Sequence, residues 1–290
     1  MMNAIRALIT LLLALLTLPI FASLEMAPYQ MPRTHVVKIE DVKSNRQYEL
    51  YIKLPDNYDE SADIAYPVIY TTDAKWQMDL LSGVTEYLMS KVILVGVSWQ
   101  TNMSSEIDFG ARREFASRFR DYSFIESDKP DVQATYQFGQ AAQHLSFIRN
   151  HVIHYVNTHY RIAEELQTYL GYSMGAEFGA YILLSQPDTF DNYILGSPSV
   201  DDRSIRFLDD LANQNRAKHD AFNNHVFVSI GERETPAMDA TQRLVSILKA
   251  KTTSGLSLTG LEVIDNADHT TAVPDTFVLG IKWLATRYNQ

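Results

Sequence analysis

The pentapeptide Gly171-Tyr172-Ser173-Met174-Gly175 places a serine with glycine two positions before and two positions after it. The apolar run Thr168–Leu170 precedes this serine, and a helical pattern over Ala176–Ser185 follows. A strand that turns so sharply into a helix needs small residues at both flanking positions, and it lifts the serine Oγ clear of the sheet. The helix behind it aims free N–H groups and its positive dipole end at the same point. The pattern predicts a nucleophile elbow. A serine hydroxyl is a poor nucleophile unaided, so it needs a base, and the base needs an orienting carboxylate.

Three histidines follow Ser173. His219 stands in the polar stretch NQNRAKHD, His225 opens a strand, and His269 follows the last apolar strand. Loops at the C-terminal ends of strands are where an open α/β sheet gathers ligand-facing residues, so His269 is the expected base. The acid should close the preceding strand, His225–Gly231, which runs into Glu232-Arg233-Glu234. Glu234, three residues past Gly231, has room to turn back and is preferred. Glu232 and Asp268 stay as alternatives, although Asp268 adjoins the histidine and is poorly placed to receive its Nδ1–H. Charge developing on a carbonyl oxygen calls for two aimed N–H donors. The expected pair is the amide of Met174 and, from the loop Thr72–Trp76, the amide of Lys75. This chemistry is acyl transfer through an acyl-enzyme, and it needs neither cofactor nor metal.

The elements that must carry these groups alternate along the chain. Thr34–Val42 and Gln47–Leu54 alternate apolar and polar residues around Ser44-Asn45, a hairpin signal. Tyr66–Thr71 and Lys91–Ser98 are short, apolar and β-branched, as in strands buried on both faces. A helical pattern around Gln77–Met89 separates them. Phe138–Tyr160 is the longest helical pattern, with Leu145, Ile148, Val152 and Tyr155 at spacings of three and four. Strands at Thr168–Tyr172, Asn192–Gly196, His225–Gly231 and Leu256–Ile264 then alternate with helices at Ala176–Ser185, Ser204–Asn215, Ala237–Lys251 and Pro274–Tyr288. The expectation is a single α/β domain over residues 23–290, with a mostly parallel sheet covered by helices on both faces and an N-terminal antiparallel hairpin. Residues 99–137 break the alternation and are expected to form an irregular cap. Of the four arginines there, Arg118 is a candidate to hold an anionic substrate, with local ion pairing as its alternative. Arg112, Arg113 and Arg120 are expected to pair with Glu106, Asp108, Glu114 and Asp121. Trp76 and Tyr172 are further candidates to line the substrate site.

Composition limits the function classes. The chain has 290 residues, 46% hydrophobic and 21% charged, which is ordinary globular composition. With no cysteine, disulfides, thiolate metal sites and a cysteine nucleophile are excluded together. A net charge of −10 argues against nucleic acid or an anionic membrane as partner. His151 and His154 have metal-like spacing on a helix that also carries His144 and His159, but no carboxylate completes a ligand set. Asp201, Asp202, Asp209 and Asp210 read as a solvated face. In Met1–Ser23 a single cation, Arg6, precedes an apolar run to Ile20 and small residues at Ala22 and Ser23. This is signal-peptide layout, with cleavage expected after residue 22 and a retained anchor as the alternative. The run would span about 21 Å as a helix against roughly 30 Å of hydrocarbon. The expected product is an exported protein, periplasmic or secreted, of a bacterium.

Further motifs lie along the whole mature chain. Leu54-Pro55-Asp56-Asn57-Tyr58, Tyr66-Pro67-Val68-Ile69-Tyr70 with Asp73, Arg120-Asp121-Tyr122, the elbow with Ala176, and Gly196-Ser197-Pro198-Ser199 recur together with Gly231–Glu234 and Asp268-His269. In this set the chain resembles the esterase family of the α/β-hydrolase superfamily that includes enterochelin (enterobactin) esterases, feruloyl esterases, S-formylglutathione hydrolases and mycobacterial mycolyltransferases. The resemblance implies an α/β-hydrolase fold, a surface position for the helix that carries His144, His151, His154 and His159, and hydrolysis of a small-molecule carboxylic ester by Ser173, Glu234 and His269, with the oxyanion held near Lys75 and Met174. Two positions depart from the family pattern. Ala74 replaces the glycine of its "DG", and Val200-Asp201-Asp202 replaces the aromatic run after "SPS". The single-domain exported form is most similar to periplasmic siderophore esterases. An acyltransferase using the same acyl-enzyme, or a binding protein that has lost catalysis, would be the alternatives.

Overall fold

The computed structural model describes residues 28–61, 63–214 and 222–288. The proposed signal peptide and His219 lie outside the described residues. Met1–Met31 is one compact unit, of which only residues 28–31 are described, without regular structure; Pro32–Gln290 is the other.

An eight-stranded sheet runs through the larger unit. Its strands are β1 (Thr34–Asp41), β2 (Arg46–Lys53), β3 (Tyr66–Thr71), β4 (Ile93–Val97), β5 (Ile162–Tyr172), β6 (Asn192–Gly196), β7 (His225–Gly231) and β8 (Ser257–Ile264), in spatial order β1-β2-β4-β3-β5-β6-β7-β8. The hairpin β1–β2 is antiparallel, with Thr34 opposite Lys53 and Asp41 opposite Arg46, and its turn places Asn45 at φ 54°, a left-handed conformation that asparagine tolerates. β2 meets β4 antiparallel, and every later pairing is parallel. β4 and β6 are buried along their full length, which is why they read as continuous apolar runs.

The principal helices are α1 (Ala74–Leu88), α2 (Ser117–Asp121), α3 (Pro130–Tyr136), α4 (Ala141–Phe147), α5 (His154–His159), α6 (Met174–Ser185), α7 (Asp202–Gln214), α8 (Thr235–Lys249) and α9 (Ala272–Tyr288). α1 packs on α9, while α6, α7 and α8 contact one another in succession. The fully buried central strands lie between these two helical layers.

Three expectations need correction. The long helix is interrupted by a π-helical turn, Ile148–Ile153, between α4 and α5. His144 is not on its surface. Ala141, His144, Leu145, Ile148 and Val152 share one helical face and are all buried, and the imidazole lies among Tyr48, Tyr122, Phe147 and Phe178. Burial there depresses its pKa, with the nearby Asp121 charge opposing the effect. Residues 99–137 are not irregular throughout, since they contain a 3₁₀ segment, Gly110–Phe115, as well as α2 and α3. Buried polar groups anchor this segment: Arg120 binds Asp121 at 2.8 Å, and Asp121 accepts the Tyr48 hydroxyl at 3.0 Å. Among the described residues, no helix is long and apolar enough to cross a membrane.

Candidate active site

Four C-terminal strand ends converge on one point. Ser173, between β5 and α6, sits at φ 59° and ψ −124°, a conformation costly for a residue with a side chain and held here by its surroundings. Its N–H donates to Gly196 O at 2.9 Å, and its carbonyl caps α6 by accepting Ala176 and Glu177 N–H. The glycines are required by backbone contact. A Cβ on Gly171 would lie 2.3 Å from Gly175 O and 2.5 Å from its carbonyl carbon. Since backbone cannot swing aside as a flexible side chain can, Gly171→Ala should cost at least ~3 kcal/mol and lower the yield of folded protein. An unchanged melting temperature would refute this reading of the turn.

His269 follows β8 and reaches the serine. Its Nε2 lies 2.9 Å from Ser173 Oγ and its Nδ1 2.6 Å from Glu234 Oε2. Glu234 is buried, and its other oxygen accepts Ser197 Oγ–H at 2.6 Å and Gly231 N–H at 2.8 Å. Burial alone would raise its pKa, but the His269, Ser197 and Gly231 hydrogen bonds outweigh it and hold the carboxyl below its ordinary value. The two alternative acids are engaged elsewhere. Glu232 Oε2 accepts Asn266 N–H at 2.7 Å, and Asp268 accepts the amides of Thr270 and Thr271, closing the turn into α9.

The expected oxyanion donors open two helices. Met174 is the first residue of α6 and Lys75 the second of α1, so neither amide has an intrahelical acceptor. A Cβ on Gly175 would come within 2.7 Å of Thr72 Oγ1, so the loop after β3 rests directly on the elbow. The Ala74 departure is absorbed by β4: the methyl is buried and occupies space that a side chain on Gly96 would take, 2.8 Å from its Cβ.

The three expected substrate contacts fare differently. Tyr172 is buried beneath the site, its hydroxyl 2.7 Å from His269 O and 2.9 Å from Ser197 Oγ, so it props the histidine loop. Arg118 is buried, and it grips Asp73 through Nε at 3.0 Å and Nη2 at 2.8 Å, a partner outside the acids that its neighbourhood in sequence suggested. Trp76 is half-exposed and stacks edge-on against Trp99 with Arg118 below it, and it does not line the cleft formed by Phe119, Met174 and Ser199. Arg112 lies over the Phe119 ring, and Arg113 binds the Ser104 and Ile107 carbonyls. Among the described residues, Arg120–Asp121 is the one expected local pair that forms.

Sequence reasoning missed several neighbours of the serine. Ser199 Oγ lies 2.9 Å from Ser173 Oγ, and the SPS motif was the available signal. The adjoining cleft, about 340 Å³, has walls of Phe119, Phe124 and Phe138 supplied by residues 99–140. Glu177, one turn into α6, also lines it. Burial pushes this carboxyl up to about 8, with the Asp201 charge adding to the effect and the Ser204 hydroxyl opposing it. Glu126 and Arg203 line the same cleft. An acid with a raised folded pKa binds more protons folded than unfolded, so it destabilises the fold progressively from about pH 4.5 to about pH 8. Glu177→Gln should therefore gain stability over wild type across that window and level off above it. Parallel urea midpoints from pH 4 to 9 would contradict this. Among the described residues, no three potential ligands gather as a metal site.

Residues 42–255 match the family described as "Putative esterase". The chain belongs to this esterase family. A curated relative, the ferri-bacillibactin esterase BesA of Bacillus subtilis, is 27% identical over 188 residues, 59% of this chain and 60% of the relative's own length. Two solved structures share the α/β-hydrolase architecture at 20% identity each. The BES protein from Bacillus cereus superposes with a TM-score of 0.73 over 90% of this chain and 98% of that one. An IroE-like serine hydrolase from Shewanella oneidensis gives 0.73 over 88% and 81%.

Proposed function

We propose that this esterase-family chain is an exported serine esterase that cleaves carboxylic esters through an acyl-enzyme. The hydrogen-bonded series Ser173–His269–Glu234, at 2.9 and 2.6 Å, carries the reading. Ser173 Oγ attacks the ester carbonyl while His269 Nε2 takes its proton, and the Glu234 carboxylate fixes the tautomer and balances the imidazolium. The Met174 and Lys75 amides receive the oxyanion, assisted by the positive end of α6. His269 returns the proton to the leaving alcohol, then activates the water that releases the acid. Because Glu234 stays ionised down to unusually low pH, the imidazolium retains its counter-charge throughout the neutral range.

The finer reading is hydrolysis of a siderophore ester. The BesA relative is named for such a substrate, and the aromatic cleft beside Ser173 suits a ligand rich in rings. Export rests on the layout of residues 1–22. The test is a chain-length series of p-nitrophenyl esters and a trilactone siderophore such as enterobactin, given to residues 23–290 beside Ser173→Ala. Turnover by wild type alone supports the esterase. A trilactone rate far above the simple esters supports the siderophore substrate, a short-acyl optimum refutes it, and an inert wild type refutes both.

A further inference from the structure

We propose that Glu177 determines specificity in the cleft beside Ser173, its carboxyl hydrogen-bonding a hydroxyl carried on an aromatic ring of the ligand. The location of the ester bond rests on the esterase reading above, but the recognition does not. The cleft has two kinds of wall. Phe119, Phe124 and Phe138 supply aromatic rings, with Phe119 and Phe138 centroids 5.7 Å apart. Met174 and Ser199 border the nucleophile, and Glu177 joins them on the same helix as Met174. About 340 Å³ leaves room for a substituted benzene ring.

The Asp201, Ser204 and Arg203 side chains around Glu177 are already committed, whereas the Glu177 carboxyl shares a single hydroxyl, that of Ser204. Asp201 accepts the amides of Arg203 at 2.8 Å and Ser204 at 2.9 Å, capping α7. The Ser204 hydroxyl takes the Asp201 N–H at 2.7 Å and shares its own proton between Asp201 and Glu177. Arg203, the cation of the lining, is held by Asp128 and by the Glu126 carbonyl. An anionic ligand would thus meet Glu126, Asp201 and Glu177 with no uncommitted cation in the lining to receive it. An uncharged hydroxylated ring would find apolar faces and a carboxyl. Protonated at neutral pH, that carboxyl offers a donor as well as an acceptor.

The test measures binding and needs no turnover. Calorimetric titrations at pH 6.5 compare 3,4-dihydroxybenzamide with benzamide on wild type, Ser173→Ala, Glu177→Leu and Glu177→Gln. Wild type and Ser173→Ala should bind the dihydroxy compound about five- to tenfold tighter, the scale of one net hydrogen bond. Glu177→Leu should lose that preference. Glu177→Gln, which keeps a donor and an acceptor, should retain most of it. Equal affinity of wild type for the two amides, or a preference that Glu177→Leu preserves, overturns the proposal. A preference that follows Glu177 in a protein inert on every ester would uphold it while the esterase reading fell.

Discussion

Ser173→Ala should lower kcat on any ester this protein turns over by a factor on the order of 10⁴ to 10⁶, with little change in melting temperature. The serine makes one short hydrogen bond to His269 and one to Ser199, and its removal leaves no buried charge behind. His269→Ala should cost about as much, and the double variant no more than either alone, because the three groups work as a unit. Such non-additivity separates a catalytic role from a structural one: two independent contributions would multiply. Ser199→Ala provides the internal comparison, with an expected loss of about tenfold, since it removes a hydroxyl that steadies Ser173 Oγ but carries no proton in the reaction. Retention of more than a tenth of wild-type kcat by Ser173→Ala would rule out this serine as nucleophile.

Arg118→Ala should be the most destabilising of the arginine substitutions in the cap. Its guanidinium and the Asp73 carboxylate have side chains only 10% and 2% exposed, so the pair is screened little by water. Removing one partner of such a pair leaves the other charge buried and uncompensated, at a cost of about 3–5 kcal/mol. For a domain of this size that is roughly a 10 °C fall in Tm. The damage should spread to the site. Asp73 opens α1 in a left-handed conformation, φ 54°, and also accepts Trp99 Nε1–H at 2.6 Å, so it holds the loop that carries the Lys75 amide. Anionic and neutral esters should therefore lose rate alike. A normal Tm combined with a KM rise confined to anionic esters would return Arg118 to the substrate-binding role.

How much of this was legible in the residues depends on range. The elbow could be read because its constraint is local: two glycines within five residues, a strand before and a helix behind. The sheet could be read because β4 and β6 are apolar without interruption, which parallel strands covered on both sides require. His269 and Glu234 were legible as strand-end residues, since chain order and strand ends limit the choice. The partners of buried charges were not. Arg118 was compared with acids in its own segment, yet its carboxylate lies 45 residues away, at the end of β3. Tyr172 adjoins Ser173 in sequence but is buried, because it ends β5, whose last six residues are covered on both faces, whereas Ser173 stands on the turn beyond the strand.

By themselves, the residues determined the class of fold, the turn that carries the candidate nucleophile Ser173 and the strand ends from which its expected base and acid come. Tertiary structure alone decided which of three carboxylates meets His269, that Ser197 and Tyr172 brace that meeting, and that three phenylalanines and Glu177 form the cleft. The physical reason is that propensity and periodicity act over a few residues, whereas a buried hydrogen bond or a cleft wall is set by which distant segments pack together.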